Sequence, residues 1–336
     1  MVTAIDNHII DEYVSEGLVT ARPHLRLPLR VLNYTPQCQH GNLWNWFTKQ
    51  ARGLVVDDHG TIIARGFDKF FNLEEHGSLD IPGQHFVAYD KLDGSLIIVF
   101  HYAGQTIACS RGSFESDQAK WAQEIIRECG FTAPGEASIC FELIHPENRI
   151  VVDYGGTRDL VYLGHRTQAG GDYWFPDDTP FPAAQRYLVD SVGDLPQRDN
   201  AEGFVLHWPN GFRVKIKYDR YVEMHRAIFG LTERKILEAV KGGYSEDLRQ
   251  DLPEEFYEWY DGVVDDLHRR YRELLTEILD YYKKIRHIRS RRDFAREATG
   301  YKYSGMLFAL RDNKPMGSKM WKIIEQDIKR ESNESS

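Results

Sequence analysis

The chain has little cysteine, no long apolar run and a deficit of positive charge. Cys38, Cys109, Cys129 and Cys140 form no Cys-x-x-Cys pair and have no histidine at zinc-ligand spacing. Neither a zinc site nor a disulfide framework is expected, and the thiols read as reduced and mostly buried. No apolar run approaches the roughly 18 residues needed to span a bilayer, and the N-terminus lacks a basic segment followed by an apolar one. The expectation is a soluble, cytoplasmic protein with no membrane partner. The absence of a Gly-x-x-x-x-Gly-Lys-Ser/Thr loop excludes P-loop binding of a nucleotide. Lysine and arginine number 42 against 51 acids, a net charge of −9. That balance opposes indiscriminate adhesion to nucleic acid but leaves a local basic groove open.

At 336 residues with 42% hydrophobic content, the chain is long enough for two domains. Strand-like runs dominate to about residue 222: Leu29–Tyr34, Gly53–Val56, Thr61–Ala64 after the hairpin connection Asp57–Gly60, and the runs flanking residues 91–95. One helical pattern interrupts them around Ser116–Cys129. After about residue 230 the period changes. Phe256, Tyr260, Val263, Leu267, Tyr271, Leu274, Ile278, Tyr281 and Ile285 recur every three or four residues, predicting an amphipathic helix over Pro253–His287 with the proline in its first turn. A second helix is expected from the N-cap Ser290 to Gly300, a third over Met316–Lys329, and a disordered tail over Glu331–Ser336. The fold class is α+β with mainly antiparallel sheets over 1–230, followed by an all-helical domain over 231–336.

The stretch that could carry chemistry is Ala88-Tyr89-Asp90-Lys91-Leu92-Asp93-Gly94-Ser95-Leu96. A lysine entering a tight Asp-Gly turn between two strands is held in place, and the glycine admits close approach of another group. For this stretch alone, a hairpin turn with an exposed lysine is the plainer reading. In Phe212–Tyr218, alternation puts Lys215 and Lys217 on one strand face, about 7 Å apart, as an anion clamp or as the guards of an edge strand. Glu142 interrupts the apolar run Ser138–Ile144 and Glu202 stands at the entrance of Gly203–Leu206; each carboxylate needs a cation, metal or donor if buried. Arg52 and Lys69 add cations near the N-terminus. Together these residues supply the positive charge a triphosphate needs, and Asp93, Glu142 and Glu202 the oxygens a hard cation prefers.

In order, Lys91-Leu92-Asp93-Gly94-Ser95, Cys140-Phe141-Glu142-Leu143, Glu202-Gly203-Phe204-Val205 and Lys215-Ile216-Lys217 resemble the first, third, fourth and fifth motifs of the covalent nucleotidyltransferases, with their ATP-grasp-like ligase domain. Arg30–Tyr34, Ala51–Leu54, Lys69–Leu73, Ser110–Ser113 and Pro146–Val151 are similar to the phage-type RNA ligase 1 family. The resemblance implies an ATP-dependent RNA ligase. Lys91 would take AMP from ATP, pass it to an RNA 5′-phosphate, and a 3′-hydroxyl would displace it. By the same resemblance Tyr34, Arg52 and Lys69 hold the β- and γ-phosphates, Glu142 the ribose, and Lys215 and Lys217 the α-phosphate. Phe71, Gly94 and Arg111 complete the nucleotide site, Arg111 standing where some members have lysine. Asp93 and Glu202 would hold Mg²⁺, for which Mn²⁺ can substitute, with Glu246 and Asp247 as a further acidic pair that is also readable as a solvated turn.

The implied partners are RNA with 5′-phosphate and 3′-hydroxyl ends, nicked tRNA among them, and an end-healing kinase-phosphatase. Seven basic side chains between Lys283 and Arg292 make a patch that reads either as a phosphate track or as a solvated helix end. DNA ligases and capping enzymes are the nearest alternatives, but both append an oligonucleotide-binding barrel after the fifth motif where this chain appends helices. A non-catalytic RNA-binding protein on the same fold is the alternative from another class.

Overall fold

The structure is a computed structural model that describes the chain except residues 1–2, 78–79, 136, 229, 251, 253–255 and 335–336. The chain divides into two compact units, Met1–Phe229 and Gly230–Ser336.

In the first unit the elements run α1 (Asn7–Ser15), β1 (Val19–Pro23), β2 (Leu29–Tyr34), α2 (Pro36–His40), α3 (Trp46–Gln50), β3 (Arg52–Asp57), β4 (Ile62–Ala64) and β5 (Phe71–Asn72). They continue with β6 (Val87–Lys91), β7 (Ser95–Tyr102), β8 (Gln105–Ser110), α4 (Asp117–Cys129), β9 (Ala137–Ile144), β10 (Asp159–Thr167) and β11 (Asp172–Tyr173). The last are β12 (Arg186–Tyr187), β13 (Gly203–His207), β14 (Arg213–Lys217) and α5 (Asp219–Ile228). Three sheets result, ordered β1-β2-β3-β4, β11-β10-β9-β7-β8 and β12-β6-β13-β14-β5. Every strand pair is antiparallel except β14 with β5, so the α+β architecture with mainly antiparallel sheets is as expected.

The expected strand Leu29–Tyr34 is β2, and β3 and β4 pair antiparallel across the Asp57–Gly60 turn. The helix around Ser116 is α4, with the Ser116 hydroxyl capping Ala119 N and Gly130 in the left-handed conformation at its end. The helices α1 to α3 were not legible: α3 rests on an Asn45 capping box and the buried Phe47, in a stretch too short to show a period. Two cores flank the central sheet. Ile97, Val99, Phe141 and Leu143 pack under α4, while Val31, Val55, Ile98, Phe100 and Cys109 join the first sheet to the second.

One expectation is overturned in a way that matters for the site. The strands on either side of Lys91–Gly94 do not form a hairpin. Instead β6 pairs with β13 and β12, while β7 pairs with β9 and β8, in a different sheet. Alternation tells which side of a strand is buried but not which strand it meets, and the Asp-Gly turn here carries the chain from one sheet to the next.

The second unit holds α6 (Glu233–Gly242), α7 (Ser245–Gln250), α8 (Tyr257–Ile285), α9 (Arg291–Ala298), α10 (Ser304–Arg311) and α11 (Gly317–Glu334). The expected apolar stripe is real: Tyr260, Leu267, Leu274, Ile278 and Ile285 of α8 are buried. Pro253, expected in its first turn, lies outside the described residues. Ser290 caps α9 through Asp293 N as the sequence implied. The last helix continues to Glu334, so residues 331–334 of the expected tail are helical. Among the described residues, no helix is long and apolar enough to cross a membrane. Cys38, Cys109 and Cys140 are buried and Cys129 is exposed, all as free thiols.

Candidate active site

Lys91 ends β6, opposite Gly203 of β13, which in turn lies opposite Lys217 of β14. This register places three consecutive strand ends side by side. Glu202, one residue before Gly203 and buried, receives both lysines on one oxygen: Lys91 Nζ lies 2.7 Å from Oε1 and Lys217 Nζ 2.9 Å from it. Gly203 is required there. Its φ is +149°, and a Cβ would stand 1.9 Å from Ile216 O. Burial alone would raise the Glu202 pKa, but Lys91 and Lys217 together outweigh it and hold the carboxyl below its usual range.

Glu142 approaches from the other sheet. It is the one residue of β9 that is not fully buried. Gly94 N donates to its Oε1 at 3.1 Å. Gly94 is there for close approach, since a Cβ would meet Leu143 O at 2.3 Å and Glu142 Cγ at 3.1 Å. Burial drives the Glu142 pKa up to about 7, with Lys91 opposing and Glu202 adding to the rise. Two carboxylates flanking one lysine are thus pushed in opposite directions, because one is ion-paired and the other is mainly desolvated.

Asp93, expected at a metal, accepts three hydrogen bonds on its carboxylate. Its Oδ2 accepts from Val151 N and Val152 N at 2.8 and 2.7 Å, and its Oδ1 from the Tyr221 hydroxyl at 2.7 Å. The Asp93 backbone N–H donates to the Tyr154 hydroxyl at 2.8 Å. The carboxylate therefore fastens the turn to the 151–154 segment and to α5. Sequence reading missed Tyr154 and Tyr221; only the fold brings residues 61 and 128 positions away to this turn.

A cationic, aromatic group lines the neighbouring part of the unit. Tyr34 and Trp44 meet edge-on at 4.9 Å, and Trp44 meets Phe71 at 5.7 Å. The Lys69 ammonium lies 5.2 Å from the Trp44 centroid and 4.9 Å from that of Phe71. Arg111 places its guanidinium 5.2 Å over the Tyr34 ring and donates to its hydroxyl at 3.1 Å, a planar contact a lysine would not reproduce. Arg52 donates to Phe67 O at 3.3 Å and acts electrostatically on Glu142. Because β5 pairs in parallel with β14, Phe71 stands opposite Val214 and Asn72 opposite Lys215. Of the expected site residues, Tyr34, Arg52, Lys69, Phe71, Lys91, Asp93, Gly94, Arg111, Glu142, Glu202, Lys215 and Lys217 all lie in the first unit. Trp44 joins them unannounced; a tryptophan in a loop, two positions before Trp46, gave no signal. Glu246 and Asp247 lie in the first turn of α7 in the second unit, where a helix N-terminus favours acids without any ligand.

Among the described residues, no group of three or more His, Cys, Asp or Glu side chains is gathered as a metal cage. The donor set nonetheless fits a magnesium-like ion, which keeps several waters and takes one or two carboxylates plus substrate phosphates.

Residues 50–173 match the family model described as RNA ligase, of the phage RNA ligase 1 type. A protein of Autographa californica nuclear polyhedrosis virus named as a bifunctional polynucleotide kinase/RNA ligase is 30% identical over 213 residues, which is 53% of this chain and 31% of that protein. A protein of Thermovibrio ammonificans named as an RNA ligase is 26% identical over 215 residues, covering 55% of this chain and 54% of its own length. The match thus spans about half or less of the curated relatives. Among solved structures, an Aquifex aeolicus protein named as an ATP-dependent DNA ligase aligns at 17% identity and a TM-score of 0.46 over 81% of each chain. The segment from residue 50 to residue 173, which holds Arg52, Lys69, Lys91, Arg111 and Glu142, carries the signature of the phage-type RNA ligase family, as the motif series implied.

Proposed function

We propose that the protein is an ATP-dependent RNA ligase whose nucleophile is Lys91. The observation that carries this reading is the convergence of Lys91, Lys217 and Glu202 at three adjoining strand ends, with Glu142 facing them from the second sheet. The Lys91 amine attacks the α-phosphorus of ATP. An N–P bond forms, the bond to pyrophosphate breaks, and the amine loses its proton. An RNA 5′-phosphate oxygen then displaces the lysine, and an RNA 3′-hydroxyl displaces AMP to leave a phosphodiester.

An ammonium cannot attack, so the site must release the Lys91 proton. Lys217 shares the same Glu202 oxygen. Lys217 and Lys215 then supply fixed positive charge where negative charge develops. Arg52, Lys69 and Arg111, set among Tyr34, Trp44 and Phe71, hold the outgoing phosphates. Glu202 and Glu142 are the carboxylates we assign to a divalent ion, Mg²⁺ or Mn²⁺, which would screen phosphate charge, with Asp93 beside them; the three hydrogen bonds that the Asp93 carboxylate accepts also position the turn. Residues 1–230 form the adenylyltransferase domain and 231–336 an RNA-specificity module. The substrate is RNA with 5′-phosphate and 3′-hydroxyl ends, nicked tRNA being one such RNA, sealed in the cytoplasm after end healing by a kinase-phosphatase. The viral relative's name, which joins a kinase to an RNA ligase, supports that coupling.

Incubation with α-labelled ATP and Mg²⁺ should leave a denaturation-resistant AMP adduct, stable to alkali and released by acid as a phosphoramidate is, on the wild type and none on Lys91→Ala. An adduct that survives the substitution would refute the nucleophile. Sealing should favour 5′-phosphorylated RNA over DNA; preferential DNA sealing would instead support a DNA ligase.

A further inference from the structure

The helix α8 spans 29 residues, about 43 Å at 1.5 Å per residue. Its body mixes both signs, with Arg269, Arg270 and Arg272 beside Asp266, Glu273, Glu277 and Asp280, whereas Lys283, Lys284, Arg286, His287, Arg289, Arg291 and Arg292 follow one another at its far end. Helix-dipole complementarity favours such an order, but it acts only within the last turn. It accounts for Lys283 and Lys284 and does not account for Arg289, Arg291 and Arg292, which lie beyond the helix.

These cations are mostly uncompensated. Lys283 pairs with Asp280 at 2.8 Å and Arg291 with Asp312 at 3.3 Å. Lys284, Arg286, Arg289 and Arg292 are exposed, and among the described residues none of them has an acid within ion-pair distance. The connection that carries them is also fixed in shape. Arg311 donates to Ile288 O at 3.1 Å and to Arg289 O at 2.6 Å. Its guanidinium lies 4.5 Å over Phe294, which is buried against Phe308 and Tyr282. One arginine thus fixes the loop from inside, while the others face solvent on a protein whose net charge is −9. On the same helix face, Tyr281 precedes Lys284 by three residues and stacks on Tyr301 at 4.2 Å, adjoining aromatic surface of the kind nucleotides use.

We propose that the α8–α9 junction, through Lys284, Arg286, Arg289 and Arg292, is an anchoring surface for the phosphate backbone of the RNA substrate, separate from the lysine that forms the adenylate. It reads charge rather than base sequence, because exposed cations on a fixed loop touch phosphates. The inference rests on the RNA ligase reading. Its failure is distinguishable, because adduct formation needs ATP alone.

The test uses the full-length chain with Lys284→Glu, Arg289→Glu and Arg292→Glu combined, and separately with Arg289→Lys and Arg292→Lys. Binding of a 5′-phosphorylated RNA is measured against salt concentration, alongside AMP-adduct yield. The charge-reversed variant should bind RNA at least about tenfold more weakly, and its slope of log affinity on log salt should fall by about two to three. The lysine-retaining variant should bind like the wild type, and both should form the adduct normally. Unchanged RNA affinity and slope in the reversed variant would overturn the proposal. So would equal loss in both variants, which would mark a structural role, or loss of binding to anionic lipid vesicles with RNA binding intact.

Discussion

The two units differ in whether they bury charge. Beside exposed pairs such as Arg158 with Glu128, the first buries shared pairs: Glu202 between Lys91 and Lys217, and Asp172 between Arg166 and Arg213, the latter at 2.5 Å. Burial opposes the Asp172 charge, yet His207, Arg213 and Arg166 outweigh it and hold the carboxyl well below its usual range. The second unit keeps its charge on the surface, in helical pairs such as Arg269 with Glu273 at 2.9 Å and Lys283 with Asp280. Buried ions must be paired on fixed backbone, so they lock strand ends to one another; exposed pairs are solvated either way and constrain little. A site that must hold a phosphorus atom within reach of one amine needs the first kind of construction. A surface that follows a polyanion is served by the second.

The contrast can be broken at its strongest point. Glu202→Ala leaves two lysines at the strand ends without their carboxylate, and should lower unfolding stability by about 3 kcal/mol, read by urea titration, with adenylylation reduced as well. A loss below about 1 kcal/mol would show that the pair is solvated like those of the second unit.

Glu142 gives a pH signature. Its pKa rises from 4.5 in the unfolded chain to about 7 in the fold, so between those values the folded state binds more protons than the unfolded one. Stability must therefore fall as pH rises through that window, by up to about 3 kcal/mol. Glu142→Gln should remove this decline, so the variant gains on the wild type as pH passes from about 5 to about 8. A constant stability difference across the window would exclude the buried carboxyl as its source.

Smaller effects follow along the turn. Gly94→Ala forces a Cβ into Leu143 O and the Glu142 side chain, and a displacement of about 1 Å at the lysine should slow adduct formation about 100-fold while the protein remains folded by circular dichroism. Tyr221→Phe removes one of the three hydrogen bonds accepted by the Asp93 carboxylate and should cost about 1 kcal/mol. At the other end of the scale, Arg292→Gln on the second unit should change stability by less than about 0.5 kcal/mol.

Much of this was legible in the chain itself. Lys91, Glu142, Glu202, Lys215 and Lys217 stand out because each polar group interrupts or flanks a strand-like apolar run. The helix α8 declares itself through nine apolar positions at helical spacing. Short helices such as α3 and α10 carry too few turns for a period to emerge, so they were hidden.

What the sequence determined alone was which residues are chemically unusual for their surroundings: a fixed lysine, two carboxylates in apolar strands, a basic run on an acidic protein. Local pattern suffices for that, because burial preference and period depend on neighbours a few positions away. The tertiary structure decided what those residues meet. It set β6 and β7 in different sheets, so that the Lys91 turn became a seam between them rather than a hairpin. It also gave Glu202 to two lysines at once and committed Asp93 to Val151, Val152 and Tyr221. Strand pairing is a contact between distant segments, chosen by the packing of the whole unit, and no stretch of sequence contains it.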